Sequence, residues 1–292
     1  MARATFSFLH VTFSSAYTPG MATDADFDIT GQRSAQGAGR SAIVTGGAGG
    51  LGSPTVDELV ARGYAVVAMD RVARPVAEDQ DLDQAHSDRI VSVVGDVADD
   101  EAVHAAIEAA TALGDLAVLV NAAGGSGAGA ATVDAEGTPH DRTAFERTIA
   151  SNVVGTFNAV RIVAAAMAKS PTDADGLRGV VVNTASIAGY EGQRGQVAYA
   201  AAKAAILGMT LPMARDLAPL GIRVCAIAPG PMGTPAMLRL RDRLLEDPAA
   251  DVVNPPRMGR PEEFALLVAD IVANSYLNGE NIRLDGALRL GA

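Results

Sequence analysis

The chain has 292 residues, of which 49% are hydrophobic and 20% charged, a composition typical of a globular protein with a substantial core. Its formal net charge of −11 argues against a broad nucleic-acid surface, which needs clustered basic residues, and against electrostatic binding to anionic membranes. The single cysteine, Cys225, excludes an internal disulfide, and the four histidines show no metal-ligand spacing, so we predict no metal site.

The first 39 residues show no helical or strand period. Residues 1–20 lack the continuous apolar run of a secretory signal, and residues 21–39 are polar and glycine-rich. No run in the chain reaches the roughly 18 apolar residues of a membrane-spanning helix. We therefore expect a flexible N-terminal extension over 1–39, a single domain over 40–292, no membrane partner and a cytoplasmic location.

From Arg40 onward the chain alternates between strand and helix patterns. The predicted strands are, in chain order, SAIVTG, YAVVAMD, RIVSVVGD, LAVLVN, GVVVNTAS, IRVCAIAPG and ENIRLDG. The predicted helices are SPTVDELVARG, DDEAVHAAIEAATALG, RTAFERTIASNVVGTFNAVRIVAAAMAK and a segment over about 196–218. Strands that are apolar throughout are typical of a parallel sheet covered on both faces. The pattern predicts a doubly wound α/β fold of the Rossmann type with seven parallel strands, whose ligands bind at the carboxyl ends of the strands.

A glycine-rich turn, TGGAGGLG at 45–52, joins the first predicted strand to the first predicted helix. Its glycines let the backbone approach a pyrophosphate, which the free N–H groups of the helix N-terminus attract. Asp70 ends the second predicted strand, where a carboxylate accepts hydrogen bonds from the ribose hydroxyls of NAD and repels the 2′-phosphate of NADP. We predict NAD as the cofactor, and Arg71 keeps NADP open as the alternative.

Tyr199 and Lys203 lie four residues apart in the alanine-rich stretch YAAAK, so they face the same side of a helix. The chain has 21 arginines but only two lysines, so a lysine here needs a reason. A nearby ammonium and a nicotinamide ring favour phenolate, and so lower a tyrosine pKa from about 10 toward the range of a general base. A lysine is also a compact rotatable donor that can bond ribose hydroxyls, a task that the rigid fork of arginine fits badly.

Seven motifs stand in the order found in the short-chain dehydrogenase/reductase family, which the chain resembles over about 40–292. They are TGGAGGLG, GDV at 95–97, NAAG at 121–124, SNVVG at 151–155, Ser186, YAAAK at 199–203 and PGPMGT at 229–234. Ser186 stands thirteen residues before Tyr199. The resemblance implies an enzyme that transfers a hydride between a nicotinamide cofactor and a secondary alcohol or ketone, a small-molecule substrate.

The resemblance also implies a role for each matching residue. Tyr199 is the acid/base, and Ser186 hydrogen-bonds the reacting oxygen. Lys203 holds the ribose and lowers the pKa of Tyr199, while Asn152 holds a water that connects Lys203 to solvent; a local cap or bridge within its helix is the alternative for Asn152. The implied cofactor contacts are Gly46, Gly49, Gly50, Leu51, Gly52, Asp70, Asp96, Val97, Asn121, Ala122, Tyr199, Lys203, Met232 and Thr234. The implied substrate contacts are Ser186, Tyr199 and Gln193.

The last third of the chain is similar to the type II 3-hydroxyacyl-CoA dehydrogenase branch of this family. The similarity lies in VVVNTASIAGYEGQRGQVAYAAAKAAILGMTLPMARDLAPLGIRVCAIAPGPMGTP, in YLNGENIRLDGALRL and in an insert from Gly125 to about Phe145. It implies oxidation of 3-hydroxyacyl-CoA to 3-oxoacyl-CoA, a reaction of fatty acid metabolism, by a homotetramer. The insert is acidic here, so a CoA phosphate would need Arg142 or an arginine elsewhere.

Two other functions stay open. An NADPH-dependent reductase of carrier-bound 3-oxoacyl groups or of free ketones would use the same fold, and Asp70 argues against it. A non-catalytic partner protein on this fold is the second, because a fold alone does not establish activity. The intact set of Ser186, Tyr199 and Lys203 argues against that function.

Overall fold

The computed structural model describes residues 36–75, 87–125, 127, 129–241 and 247–291. Residues 1–35 of the predicted N-terminal extension lie outside this range. Residues 36–39 form a turn that packs on the domain, because Gly37 is buried and its N–H donates to the carbonyl of Arg62 at 3.0 Å. Residues 36–39, which were predicted as part of the extension, therefore contact the domain.

The described residues form a sheet of seven parallel strands. The strands are β1 (Arg40–Thr45), β2 (Ala65–Asp70), β3 (Ile90–Val94), β4 (Asp115–Asn121), β5 (Gly179–Thr184), β6 (Ile222–Pro229) and β7 (Asn281–Leu284). Their order across the sheet is β3-β2-β1-β4-β5-β6-β7, and all six pairings are parallel. Successive strands are added on one side of β1 as far as β3 and on its other side from β4 onward. A crevice therefore opens between β1 and β4 at the carboxyl ends of the strands. The predicted Rossmann-type fold is confirmed.

The helices connect the strands and cover both faces of the sheet. They are α1 (Gly52–Ala61), α2 (Asp100–Leu113), α3 (Arg142–Ile149, a π-helical turn Ala150–Val154, then Gly155–Met167), α4 (Val197–Leu217), α5 (Pro235–Arg241) and α6 (Pro261–Ala273). Helices α1 and α6 pack on one face, where Leu59 and Phe264 share a core with the sheet. Helices α2, α3 and α4 pack on the other face. Cys225 is fully buried in the first of these cores, as its apolar neighbours predicted.

Helices α5 and α6 were not predicted from the sequence. The signals for α6 are present, because Pro261 stands in its first turn, two glutamates follow, and the apolar side chains of Phe264, Val268 and Ile271 recur at helical spacing. The long segments Arg142–Met167 and Val197–Leu220 are apolar enough to cross a membrane by length and composition alone. Each packs against the sheet, which accounts for its apolar composition.

Candidate active site

The glycine-rich turn forms one wall of the crevice and leaves no room for side chains. Gly46 has a φ of +67°, and a Cβ there would lie 2.6 Å from the backbone nitrogen of Ala123. The N–H of Gly49 donates to the carbonyl of Gly46 at 2.8 Å, which closes the turn. Leu51 and Gly52 then start α1, with its N–H groups directed to the turn. The turn is therefore a backbone cradle of the kind that holds a pyrophosphate.

Thr234 closes the cradle from the opposite side. A Cβ on Gly50 would lie 2.6 Å from the Cβ of Thr234, so the two segments touch. Met232 is only 5% exposed, and its side chain packs in the core against Gly259. A contact from Met232 to a cofactor would therefore have to come from its main chain.

Asp70 lies against the cradle, as its position at the end of β2 predicted. Its Oδ2 accepts from the backbone N–H of Ala48 at 3.1 Å, and its Oδ1 accepts from the N–H of Arg71 at 2.7 Å. These bonds hold the carboxylate at the carboxyl end of β2, beside the glycine turn. The side chain of the neighbouring Arg71 is exposed.

The third wall is the GDV segment, which follows β3 and contacts the middle of α3. Asp96 is exposed, and its carboxylate accepts from the N–H of Ala98 at 2.9 Å. The side chain of Val97 packs against Gly155, and its carbonyl accepts from the Asn158 side chain at 3.0 Å. These bonds place the GDV segment at the same end of the sheet as Asp70.

Asn121 is a cross-link between strands. Its side chain donates to Asn183 Oδ1 at 2.9 Å and accepts from the Thr45 hydroxyl at 3.3 Å, so it joins the ends of β4, β5 and β1. The next residue, Ala122, donates its N–H to the carbonyl of Thr45 at 3.1 Å. Because the Asn121 side chain is 2% exposed and occupied in this way, a cofactor contact from this segment would come from its backbone.

The structure brings Ser186, Tyr199 and Lys203 together at the ends of β5 and α4. Ser186 follows β5, and its Oγ caps the short helix Ile187–Gly189 by accepting from Ala188 N–H at 3.2 Å. Its hydroxyl also lies close enough to Tyr199 to lower the pKa of the phenol. The Lys203 ammonium lies 5.6 Å from the centre of the Tyr199 ring. The predicted catalytic set is thus assembled by a strand end and a helix that face each other.

Burial governs the protonation of the tyrosine and the lysine. It raises the pKa of Tyr199 above its ordinary value, and the hydrogen bond from Ser186 opposes this rise. It lowers the pKa of Lys203 to about 8. The predicted lowering of the Tyr199 pKa by Lys203 is not found in the protein by itself, because burial disfavours the charged form of each group. A positively charged nicotinamide ring would supply the other cation in that prediction.

Asn152 lies in a π-helical turn, an irregularity that frequently marks a functional site. Its Nδ2 donates to the carbonyls of Gly125 and Thr148, each at 3.0 Å, while its Oδ1 is buried without a partner in the structure. Gly124 lies between this oxygen and the lysine, since a Cβ there would be 2.6 Å from Oδ1 and 3.8 Å from Lys203 Nζ. The free acceptor beside a buried ammonium fits a bridging water.

The resemblance assigns the substrate side to Gln193 in the loop at 187–196 and to the insert. Gln193 is exposed, and its amide oxygen accepts from the Gln196 side chain at 3.3 Å. The insert contacts this loop, because the N–H of Ala130 donates to the carbonyl of Gly195 at 2.9 Å. Arg142, predicted as a possible phosphate contact, is 89% exposed and pairs with Glu146 at 2.7 Å.

Sequence reasoning missed two buried residues at the end of β5. The Lys203 ammonium donates to the carbonyl of Thr184 at 2.8 Å, and Asn183 accepts from Asn121. Both residues are less than 10% exposed. Asn183 in the otherwise apolar strand VVVNTAS was the available signal for the bond to Asn121, because buried polar groups need partners. The main-chain carbonyl of Thr184 carries no such signal.

These residues fit a nicotinamide dinucleotide. The glycine cradle suits a pyrophosphate, Asp70 suits ribose hydroxyls, and the Lys203 ammonium beside the Tyr199 ring is a donor suited to ribose hydroxyls. Among the residues that the structure describes, no group of three His, Cys, Asp or Glu side chains could hold a metal ion.

Known proteins share both the sequence and the fold. The short chain dehydrogenase family matches residues 40–244. The 3-hydroxyacyl-CoA dehydrogenase type-2 proteins of Bos taurus and Homo sapiens are 44% and 43% identical over 253 residues, covering 86% of this chain and 96% of each relative. A crystal structure of 3-hydroxyacyl-CoA dehydrogenase type-2 from Mycobacterium avium is 46% identical with a TM-score of 0.78, covering 87% of this chain and 97% of that chain. A structure of ElxO with NADP bound is 26% identical with a TM-score of 0.73, covering 85% and 97%. The chain belongs to the short-chain dehydrogenase family and is an oxidoreductase.

Proposed function

We propose that the protein oxidises 3-hydroxyacyl-CoA to 3-oxoacyl-CoA with NAD as the hydride acceptor. The observation that carries the proposal is the meeting of Ser186, Tyr199 and Lys203 at the end of the sheet that also holds the glycine cradle and Asp70. The acyl-CoA substrate is supported by the names of the two relatives, because this chain matches 96% of the length of each.

The side chains divide the proton chemistry among them. The Tyr199 oxygen takes the proton of the substrate hydroxyl, and Ser186 hydrogen-bonds the same substrate oxygen and steadies the charge on it. The Lys203 ammonium is held by the Thr184 carbonyl at 2.8 Å. It would bond ribose hydroxyls and, together with a bound nicotinamide ring, would favour the phenolate form of Tyr199. The free Oδ1 of Asn152 would hold a water through which a proton leaves. NAD, when bound, accepts the hydride from the substrate carbon.

An NADPH-dependent reductase is the second candidate. It is favoured by the solved structure of ElxO with NADP bound, which shares this fold, and by the exposed Arg71 beside Asp70. The Asp70 carboxylate opposes it, because it would lie against the negative 2′-phosphate of NADP.

Replacing Asp70 with Ser is expected to lower kcat/KM for NAD about 10- to 100-fold, the usual effect of losing hydrogen bonds to a charged group. The same change removes the repulsion of a 2′-phosphate, so kcat/KM for NADP should rise. Steady-state kinetics with each cofactor measures both effects. Arg71→Ala is the control and should change neither value by more than about threefold; an unchanged preference in Asp70→Ser would remove Asp70 from cofactor selection.

The proposed reaction is tested by the appearance of NADH at 340 nm with NAD and 3-hydroxybutyryl-CoA. Parallel reactions use NADP, and a free secondary alcohol in place of the thioester. Turnover with NAD and the CoA ester supports the proposal in full. Turnover only with NADP would refute the role of Asp70, and turnover with NAD only on the free alcohol would remove CoA from the substrate.

The assembly and location are also proposals. We propose a homotetramer that acts in the cytoplasm on small molecules, without nucleic-acid or membrane partners. Its support is an apolar surface on α3, where the side chains of Val154 and Phe157 are 54% and 49% exposed, since a symmetric interface would bury such a helix face. Light scattering on the purified protein would measure the mass directly, and a monomer would overturn the tetramer.

A further inference from the structure

The loop that joins Ser186 to Tyr199 is tied to the far end of the chain. Glu191 lies in the middle of this loop, the 187–196 loop. Its carboxylate accepts from the guanidinium of Arg283 on β7 at 2.9 and 3.4 Å, and from the backbone N–H of Leu290 at 2.9 Å. Residues about 90 to 100 positions later in the chain therefore hold the loop.

Arg283 is itself fixed on several sides. Its Nε donates to Asp285 at 2.7 Å, and its Nη2 donates to the carbonyl of Leu288 at 2.8 Å. Its guanidinium also lies 5.3 Å from the centre of the Tyr190 ring, a cation–π distance. An arginine held in this way presents a rigid fork to Glu191, so little side-chain entropy is lost in forming the pair.

An apolar contact supports the ionic one. Ile187, the residue after Ser186, is buried in a small cluster with Leu288, Ala249 and Val252. The start of the 187–196 loop therefore packs on the C-terminal segment, residues 285–291, while its middle is ion-paired to it. The side chains of Arg283 and Glu191 are 21% and 26% exposed, so the pair is shielded from solvent more than a surface ion pair, which contributes little.

The pair stays ionised in ordinary conditions. The Arg283 guanidinium holds the pKa of the Glu191 carboxyl below its usual range, and the Leu290 N–H acts in the same direction. The attachment is thus a constant feature of the folded protein near neutral pH.

We propose that Glu191 is a positioning residue for the substrate, which acts by fixing the 187–196 loop to Arg283 and the C-terminal segment. The inference rests on the proposed function in one respect. The proposed function places the 187–196 loop, which carries Gln193, on the substrate side of the site. Through this loop the C-terminal segment sets the affinity for the alcohol substrate, and it contributes no group to the chemistry. The glycine cradle lies on another loop, so we expect loss of the pair to leave cofactor binding nearly unchanged.

Glu191→Gln keeps the size of the side chain and removes its charge. We expect KM for the alcohol substrate to rise about tenfold, from weakening charged hydrogen bonds, with kcat and KM for NAD within about twofold of wild type. Arg289→Gln is the matched control, because Arg289 faces the same carboxylate at 3.7 Å from a side chain that is 60% exposed. It should leave all three constants near wild type.

A double variant tests whether the two groups act as one unit. Adding Glu191→Gln to Arg283→Gln should raise KM no further than Arg283→Gln does by itself, since coupled groups are non-additive. Losses in kcat and in cofactor affinity as large as the rise in KM for the alcohol would show a general structural role and overturn the proposal. A control variant as impaired as Glu191→Gln would do the same.

Hydrogen–deuterium exchange separates this proposal from the proposed function, because it needs no turnover. In Glu191→Gln, amides of the 187–196 loop should exchange at least about fivefold faster, while amides of 46–52 keep the wild-type rate. Unchanged exchange in the loop would overturn the proposal whatever the substrate is. Faster exchange in a protein that oxidises no hydroxyacyl-CoA would support the loop attachment and refute only the proposed substrate.

Discussion

Tyr199→Phe is expected to lower kcat by about 10³-fold, within the range that a positioned general acid or base contributes. The substitution removes only the phenolic oxygen, whose pKa responds to Ser186, and leaves the ring that lies beside Lys203. KM for the cofactor should change little, because the glycine cradle and Asp70 lie on other loops. Steady-state and single-turnover kinetics at 340 nm measure the change.

Tyr190→Phe is the matched control. Tyr190 lies in the loop before α4, nine residues before Tyr199, but it is 47% exposed and its ring faces Arg283, not Lys203. Its kcat should stay within about threefold of wild type. If Tyr199→Phe retained more than a tenth of the wild-type kcat, Tyr199 would not be the acid/base, and the proposed mechanism would fail at its first step.

Lys203→Met is expected to remove activity and to stabilise the fold. The Lys203 side chain is 4% exposed, and burial lowers its pKa from 10.5 to about 8. Holding the ammonium in the folded protein therefore costs about 3 kcal/mol at neutral pH, partly offset by its hydrogen bond to the Thr184 carbonyl, about 1 kcal/mol. We expect kcat to fall at least 10²-fold and the free energy of unfolding at pH 7 to rise by about 2 kcal/mol.

The stability difference should depend on pH with a defined sign. Below pH 8 the lysine is charged in both the folded and the unfolded chain, so its burial cost is fully present. Between about pH 8 and 10.5 the folded lysine loses its proton while the unfolded lysine keeps it, so the stability of the wild type rises with pH. Urea unfolding at pH 7 and 9.5 should show the gap between Lys203→Met and wild type becoming smaller.

Lys169→Met controls for the loss of a lysine as such. Lys169 is the other lysine of the chain and is exposed, so its replacement should change neither kcat nor stability appreciably. A Lys203→Met variant less stable than wild type at pH 7, or a gap independent of pH, would contradict the burial cost assigned to Lys203.

The periodic and motif-bearing parts of the chain were predictable from the sequence. The seven apolar strands lie where predicted, and the sheet is parallel. The glycine turn, Asp70, Ser186, Tyr199 and Lys203 all lie at the carboxyl ends of the strands. Their positions follow from local rules, because strand ends and the four-residue spacing of a helix fix where side chains point. Membership of the short-chain dehydrogenase family was predictable because its motifs are local patterns in the sequence.

Only the tertiary structure decided how these groups are held and charged. The carbonyl that binds Lys203 belongs to Thr184, and the segment that holds Glu191 includes Leu290, and neither contact has a local signal. The pKa shifts of Tyr199 and Lys203 follow from burial by residues distant in sequence. The side chain of Met232 is in the core and that of Asn121 cross-links three strands. Sequence patterns report local geometry, whereas desolvation and long-range pairing depend on which segments meet in the folded protein.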